Sequence, residues 1–404
     1  MRISQPSQAV ILVGGLGSRL GQLTQNTPKP LLMVGGQPFL DYLVEEVARH
    51  GCRRLLLLAE FEAEQVRAYV EASPIVARFG LAVDIAVEPS KAGTGGALWW
   101  ARDRLDPSFF LLNGDSWVRV NLLDLAPRLD SAPWSGVMAL RRVEDGSRYG
   151  TVDLSGGRVR AFQQGGQAGA ALVNAGVYLL RREIVDCLGP RSSIEADLFP
   201  RLVAEDLLIG HEVDGSFIDI GVPEALAEAR EIVAVEFRRP ALFLDRDGVL
   251  NVDYGYVASI DQFTWNPGAI EAIKLANDRG YLVFVVSNQA GVARGFYTED
   301  NVKLLHAHIQ AELALHGAHI DDFRYCPYHI DGIVPRYARH SDWRKPAPGM
   351  LMDLARVWRV DMERSIMIGD QPTDMACAEA AGITGHLYGC GRLDDVVREY
   401  LRAA

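Results

Sequence analysis

The sequence predicts an α/β protein of two doubly wound domains, and three observations carry that expectation. Strand-length apolar runs recur at 9–13 (AVILV), 109–113 (FFLLN), 240–244 (PALFL), 281–286 (YLVFVV) and 365–369 (SIMIG), each leading into glycine, a hydroxyl or a carboxylate. Amphipathic runs such as VEEVARH (44–50) and VPEALAEAREIVAVEF (222–237) alternate with them, the pattern of βα units on a largely parallel sheet. A chain of 404 residues also exceeds what one hydrophobic core usually holds. The run 222–237 closes the first domain as a helix, and Arg238-Arg239-Pro240 marks a short linker, because proline disfavours helix in the residue before it. The domains are therefore 1–238 and 239–404.

The first strand runs directly into AVILVGGLGSRLGQLTQNTPKP (9–30). Gly14, Gly15 and Gly17 let backbone N–H groups approach phosphate closely, and Arg19 and Lys29 supply charge for a triphosphate. The spacing is neither that of the Walker loop nor that of the dinucleotide fingerprint. Residues 109–115, FFLLNGD, read as an apolar strand ending in Asp115, and FIDIGVPE places Asp219 at another strand end. An open α/β sheet presents ligand groups at such ends. Each aspartate alone reads as a turn residue, whereas two from separate strands suit one magnesium ion bridging phosphate oxygens.

The pattern GGxGxRL followed by PKP resembles the signature of the sugar-1-phosphate nucleotidyltransferases, near the heptose-1-phosphate and mannose-1-phosphate guanylyltransferases. The resemblance implies a Rossmann-like domain that uses a nucleoside triphosphate, GTP first, with magnesium. It implies that EPSKAGTGGA (88–97), with Glu88, Gly93, Thr94 and Gly95, lies against nucleobase and ribose. It further implies that Asn174 of NAGVY and Glu195 of SIEADLFP contact sugar hydroxyls. One departure stands out. Where many members carry Glu-Lys, whose lysine holds the sugar phosphate, this chain has Gln163-Gln164. A neutral amide gives up a charge-assisted contact, so another cation such as Arg148 must substitute, or activity is weak.

The second domain opens on PALFLDRDGVL (240–250). Asp245 and Asp247, two apart on a strand, share a face. Carboxylates so close repel unless a cation or a shared proton compensates them. DxDG resembles the first motif of the haloacid dehalogenase superfamily of phosphohydrolases, and the other three motifs follow in order. The resemblance implies Asp245 as nucleophile, Asp247 as acid and then base, Ser287 and Lys345 on the transferring phosphoryl group, and Asp370 delivered to magnesium with Asp374 behind it. Asp245, Asp247 and Asp370 are the expected metal ligands.

FLDRDGVLNVDYGYV, SNQAGVARGFYT and RKPAPGM are similar to the heptose-bisphosphate phosphatase branch. That likeness implies Arg294 and Arg344 on the substrate's distal phosphate and Asn288 and Gln289 near its hydroxyls. No insertion is long enough for a large cap. The branch usually carries a zinc loop, CPxH followed by CxCRKP, but here Ser341-Asp342-Trp343 precedes Arg344 and Tyr328 replaces a histidine. Cys326, His329 and His340 supply at most three ligands where tetrahedral zinc needs four. No zinc is expected, with Trp343 packing in its place.

A net charge of −11 argues against a nucleic-acid surface. The cysteines Cys52, Cys187, Cys326, Cys377 and Cys390 are odd in number and scattered, which suits a reducing cytoplasm. The run 9–13 is too short for a signal core or a membrane span. Trp99-Trp100 reads as core. The expected partners are small sugar phosphates and a nucleoside triphosphate, with no nucleic acid and no membrane, and a homo-oligomer is compatible with the sequence. The reading is a fused enzyme: the second domain removes the 7-phosphate of D-glycero-D-manno-heptose 1,7-bisphosphate, and the first joins the 1-phosphate to a nucleotide. The alternatives are a hexose phosphate substrate such as mannose 1-phosphate, or a regulatory sugar-nucleotide-binding first domain beside an active phosphatase.

Overall fold

The computed structural model describes residues 6–403 except Leu16 and Ser90, which fall inside the two glycine segments. The chain forms two compact units, Met1–Val235 and Glu236–Ala404. They divide at the end of the helix Pro223–Glu236, just ahead of Arg238-Arg239-Pro240.

Among the described residues the first unit is built on a nine-stranded sheet. Its order is Ala82–Val87, Arg54–Ala59, Gln8–Leu12, Ser108–Asn113, Ala171–Arg181, Gly136–Val143, Leu208–Val213, Arg158–Gln163 and Thr151–Ser155. Gln8–Leu12 runs parallel to both neighbours, with Leu12 aligned to Leu58 and to Asn113. The loops after these strands therefore open at one edge. The expected parallel sheet is interrupted rather than continuous, although Leu208–Val213 again runs parallel to Gly136–Val143 further along. Ala171–Arg181 runs antiparallel to Ser108–Asn113 and to Gly136–Val143. Apolar patterning sets which face of a strand is buried and says nothing of its direction, so NAGVY could not reveal this.

The helix Phe39–Arg49 buries Leu40, Leu43, Val44 and Val47, one stripe at helical spacing. Val10, Leu56, Phe109, Leu111, Tyr178 and Phe199 close a core on the sheet. The tryptophan pair divides: Trp99 packs against this core, while Trp100 is 46% exposed. Successive helical residues point roughly 100° apart, so both cannot face one core.

The second unit carries a five-stranded parallel sheet in the order Asp322–Cys326, Leu282–Asn288, Arg239–Leu244, Val360–Gly369, Thr384–Leu387. The first strand in the chain sits at the centre, with Leu244 aligned to Val285 on one side and Ile368 on the other. Strand order reverses there, which opens a crevice at the carboxyl ends. The central strands are buried on both faces, and the rings of Phe243 and Phe284 (5.3 Å) and of Phe284 and Trp358 (5.9 Å) join sheet to helix. Near the crevice the connections carry the short 3-10 turns Ile260–Gln262 and Pro335–Tyr337 and the four-residue helix Ala290–Ala293, besides the helices that cover the sheet. Among the described residues no domain-sized cap interrupts the sheet.

Gly114 follows directly on Ser108–Asn113. A Cβ there would lie 2.2 Å from the Leu12 carbonyl oxygen and 2.7 Å from Pro30 Cγ. The carbonyl belongs to a strand paired on both sides and has nowhere to retreat. Gly114→Ala should destabilise the first unit by about 2–3 kcal/mol and lower its calorimetric midpoint by several degrees. A midpoint matching the parent's would show that this approach is not tight.

Candidate active sites

In the first unit the glycine loop leaves Leu12 and turns into the 3-10 segment Ser18–Thr24. Beside it lies a cavity of about 840 Å³ whose wall includes Gly17, Arg19, Lys29, Asp115, Asn174, Glu195 and Asp219. A smaller adjoining hollow of about 220 Å³ is lined by Gly15, Lys29, Thr94, Asp115 and Glu195 among others. The structure thus gathers most of the expected residues, whereas Gly14, Glu88, Gly93 and Gly95 line neither hollow.

Asp219 reaches the cavity because Phe217–Asp219 pairs antiparallel with Ser116–Val118, in a register that sets Asp219 opposite Ser116. Ser116 Oγ lies 3.3 Å from both Asp115 Oδ1 and Asp219 Oδ2. Each carboxylate has its own cation. Lys29 Nζ is 2.7 Å from Asp115 Oδ2, and Arg148 Nη2 is 3.3 Å from Asp219 Oδ1. Burial, and then the charge of Asp115, push the Asp219 carboxyl above its ordinary range against the pull of the Gly221 amide, Arg148 and Lys29. A carboxylate pair still short of positive charge suits a divalent cation.

The second glycine segment makes an internal joint. The amides of Gly95 and Gly96 donate to the Ser192 carbonyl at 2.9 and 3.0 Å, so the helix start at Gly93 is spent on the chain rather than open to ligand. Thr94 Oγ1 donates to Glu195 (2.8 Å) and accepts from the Ile194 amide (3.0 Å). Ser193 Oγ also donates to Glu195 at 2.8 Å. Asn174 sits inside its strand rather than at an end, where the register shifts: its Nδ2 donates to Tyr178 Oη (2.7 Å) and its Oδ1 accepts from Gly176 N. Glu88 follows Val87 at the edge strand, and burial, then the charge of Glu60, raise its carboxyl to about 7.

In the second unit Asp245 follows Leu244, Ser287 ends its strand, and Asp370 follows Gly369. Lys345 Nζ bridges Asp245 Oδ2 (2.8 Å) and Asp374 Oδ1 (2.7 Å), with all three side chains buried. Burial disfavours its ammonium, but the two carboxylates outweigh that and hold the lysine charged. Asp245 is raised, by burial first and with Lys345 opposing. Asp245, Asp370 and Asp374 bring one carboxylate oxygen each within 4.8 Å of one another, so three negative charges share one lysine. Gly248, with φ 85°, completes the turn; a Cβ there would lie 2.3 Å from Asp370 Oδ2.

Asp247, expected as a metal ligand, is not in this carboxylate group; Asp374 is. The reason is Arg246, which is fully buried and holds the Asp247 carboxylate through Nε (3.1 Å) and Nη2 (2.8 Å). Asn251 Nδ2 and Gln289 Nε2 also donate to Asp247. Gln289 gives a second bond to Ser287 Oγ (2.7 Å) and accepts from Tyr297 Oη. Asn288, expected at substrate hydroxyls, is instead spent on the chain: its Nδ2 donates to the Lys345 carbonyl and its Oδ1 accepts the Lys345 amide, both at 3.1 Å. It fixes the backbone that carries the lysine. Arg246 escaped sequence reading because an arginine between two aspartates looks like a surface charge. Its only signal was an ionic residue next to a fully apolar strand.

Arg294 and Arg344 are close enough to interact electrostatically. Burial first, and then the charge of Arg294, hold the Arg344 guanidinium below its usual range against the pull of Cys326. Arg294 lies over the Tyr256 ring at 5.8 Å, with its Nε buried and unpartnered. Two cations that repel form a ready seat for an anion. Around the former zinc positions, Cys326 is buried, His340 is exposed, and His329 Nδ1 accepts the Asp331 amide at 3.1 Å. Trp343 is half-buried beside Gly349 and lines a hollow with Tyr328.

Residues 8–236 match the family profile described as nucleotidyl transferase, and residues 342–400 match a HAD-hydrolase-like profile. The D-glycero-beta-D-manno-heptose-1,7-bisphosphate 7-phosphatase of Rhodopseudomonas palustris is 47% identical over 164 residues, spanning 41% of this chain and 91% of that one. The protein of the same name from Escherichia coli K12 is 42% identical over 144 residues, 36% of this chain and 75% of that one. The crystal structure of HddC from Yersinia pseudotuberculosis is 28% identical with a TM-score of 0.51, over 56% of this chain and 99% of that one, and its complex with GMP-PN aligns equally. No helix among the described residues is long and apolar enough to cross a membrane.

Glu88 allows a test by pH. Its carboxyl rises from an ordinary 4.5 to about 7 on folding, so the protonated form is favoured in the folded state. The stability this group contributes is present in full below pH 4.5 and is lost as pH rises through about 7. Glu88→Gln, which keeps an acceptor for the Ala92 amide, should raise the thermal midpoint at pH 8 and change it little at pH 5. Equal midpoint differences at both pH values would show that Glu88 is not perturbed.

Proposed function

The chain belongs to the nucleotidyl transferase family and carries a haloacid dehalogenase-like phosphatase as its second unit, and on that premise we propose a two-step enzyme of heptose activation. The second unit hydrolyses the 7-phosphate of D-glycero-D-manno-heptose 1,7-bisphosphate. The first then couples the 1-phosphate product to a nucleoside triphosphate, GTP, with release of pyrophosphate. What carries this reading is the presence in one chain of two phosphate-handling centres with consecutive chemistries: the Asp245–Lys345–Asp374 group and the Asp115–Asp219 pair. The named phosphatase relatives support the sugar, and the relative's complex with GMP-PN supports guanine.

In the phosphatase site a carboxylate oxygen of Asp245 attacks phosphorus while the bond to the sugar oxygen breaks, and Asp247 gives that oxygen its proton. Asp247 then takes a proton from the water that cleaves the phosphoaspartyl bond, which restores both aspartates. Lys345 and Ser287 hold the phosphoryl oxygens. Arg294 and Arg344 hold the phosphate that stays. In the transferase site the sugar phosphate oxygen attacks the α-phosphorus in line, and no protein nucleophile is needed. Arg19 and Lys29 hold the polyphosphate; Asn174 and Glu195 face the sugar. Asp115 with Asp219, and Asp245 with Asp370, would hold magnesium, which supplies charge neutralisation at the phosphoryl oxygens.

Asp245→Asn should lower phosphate release at least about 1,000-fold, since an amide does not attack phosphorus. The same variant should still turn heptose 1-phosphate into a nucleotide sugar. From heptose 1,7-bisphosphate it should form almost none, because a dianion at the sugar's far end is costly to desolvate without a cationic partner. Efficient formation of a nucleotide-linked heptose 7-phosphate, read by mass spectrometry, would overturn that order of steps.

A chelator should stop both activities and magnesium should restore them. Elemental analysis of the purified protein should find zinc far below stoichiometric. Zinc matching the chain one to one would show that Cys326, His329 and His340 take part in a metal site.

A further inference from the structure

In the transferase cavity Asp115 and Asp219 each meet one cation, but the two pairs differ in kind. Lys29 is 15% exposed and meets Asp115 at 2.7 Å; Arg148 is 41% exposed and meets Asp219 at 3.3 Å. The second contact is long and solvated, which makes it weak and exchangeable. Arg148 also lies against the ring of its neighbour Tyr149, at 5.5 Å from the centroid. It stands on the loop between Gly136–Val143 and Thr151–Ser155. The segment that follows Arg158–Gln163 is pinned to this loop: the Gly166 amide donates to the Tyr149 carbonyl at 3.1 Å, and Gly146 pairs with Gln167. Gln164 is therefore carried alongside Arg148, and both open onto the cavity that holds Asn174, Glu195 and Asp219.

Joining a sugar phosphate to a nucleotide brings two anions into contact, and fixed positive charge on both sides stabilises that approach. The cationic side chains on the cavity wall are Arg19, Lys29 and Arg148. Arg19 and Lys29 stand on the glycine-loop side, where the polyphosphate goes. Gln164, on the same wall and at the place where the family resemblance puts a lysine for the sugar phosphate, is neutral. Arg148 is the remaining cation, and its partner Asp219 is a residue that fits a metal.

We propose that Arg148 binds the phosphate of the sugar 1-phosphate, replacing the charge that Gln164 does not supply, and that it rests on Asp219 until a divalent cation engages that carboxylate. This rests on the transferase reading above. With Asp219 engaged elsewhere, the guanidinium loses its partner and turns to the sugar phosphate. Metal and sugar phosphate then favour each other's binding, and by linkage the favour is mutual.

The test is calorimetric titration of heptose 1-phosphate into the full chain saturated with a non-hydrolysable GTP analogue, at several magnesium concentrations, with KM values measured in parallel. In the parent, magnesium should tighten sugar 1-phosphate binding. In Arg148→Gln, sugar 1-phosphate binding should weaken at least about tenfold and lose its dependence on magnesium, with the KM for GTP within about twofold of the parent's. Adding Gln164→Lys to that variant should recover most of the lost affinity. Thermal midpoints near the parent's establish that the variants are folded. Unchanged sugar 1-phosphate affinity in Arg148→Gln, equal losses for sugar and nucleotide, or no recovery with Gln164→Lys would each overturn the role of Arg148 alone. A parent that binds neither ligand and releases no pyrophosphate would overturn the transferase reading with it.

Discussion

Concentrating carboxylates at the carboxyl ends of strands, under partial burial, is the constraint around which both units are organised. Taking a charged group out of water costs several kcal/mol in effective terms, and the cost is recovered only where an opposite charge is held in good geometry. Lys345, 2% exposed, is placed between Asp245 and Asp374 for this reason. Arg246 does the same for Asp247, and Lys29 for Asp115. In each centre the carboxylates still outnumber or outweigh the cations that touch them. The carboxyls of Asp219, Asp245 and Asp370 are raised by burial first, with neighbouring carboxylates adding to it. On the proposed reading, a magnesium ion and its phosphates would complete the balance that the folded chain leaves open.

The scaffold sets these groups by strand register rather than by loops alone. Leu244, Val285 and Ile368 lie level across the sheet, so Asp245, Ser287 and Asp370 emerge at one crevice. A second layer then removes slack. Asn288 clasps the amide and carbonyl of Lys345, and Gln289 links Ser287, Asp247 and Tyr297. Such side chains hold rotamers that would otherwise be free. At the mouth the logic reverses. Arg294 lies over the Tyr256 ring and Arg344 reaches towards the Tyr328 carbonyl, and on the proposed reading the substrate's second phosphate would relieve the repulsion between the two cations.

Each unit has its own core and its own centre, which is what a chain of two consecutive reactions requires. The first core is built from Val10, Leu111, Tyr178 and Phe199, and the second from Leu242, Leu244, Val283 and Ile368. A change in one centre therefore leaves the packing of the other intact. On the proposed reading the two centres would also divide the chemistry of phosphate: one would spend a covalent aspartyl step, and the other would need only positioning and charge.

The sequence by itself determined the α/β class, the two units and the residues at strand ends, because apolar runs that stop at glycine or aspartate report burial and termination together. The need for glycine at 114 and 248 was not legible: it comes from the Leu12 carbonyl and the Asp370 carboxylate that a side chain there would strike. Only the tertiary structure decided matters of direction and pairing. It turned Ala171–Arg181 antiparallel, set Asp219 opposite Ser116, spent Asn288 on Lys345, and gave Asp247 to the buried Arg246 in place of the carboxylate group that Asp374 joins. Local pattern fixes which residues leave the water. Which partner each then meets depends on chain segments far away in sequence, and no periodicity encodes that.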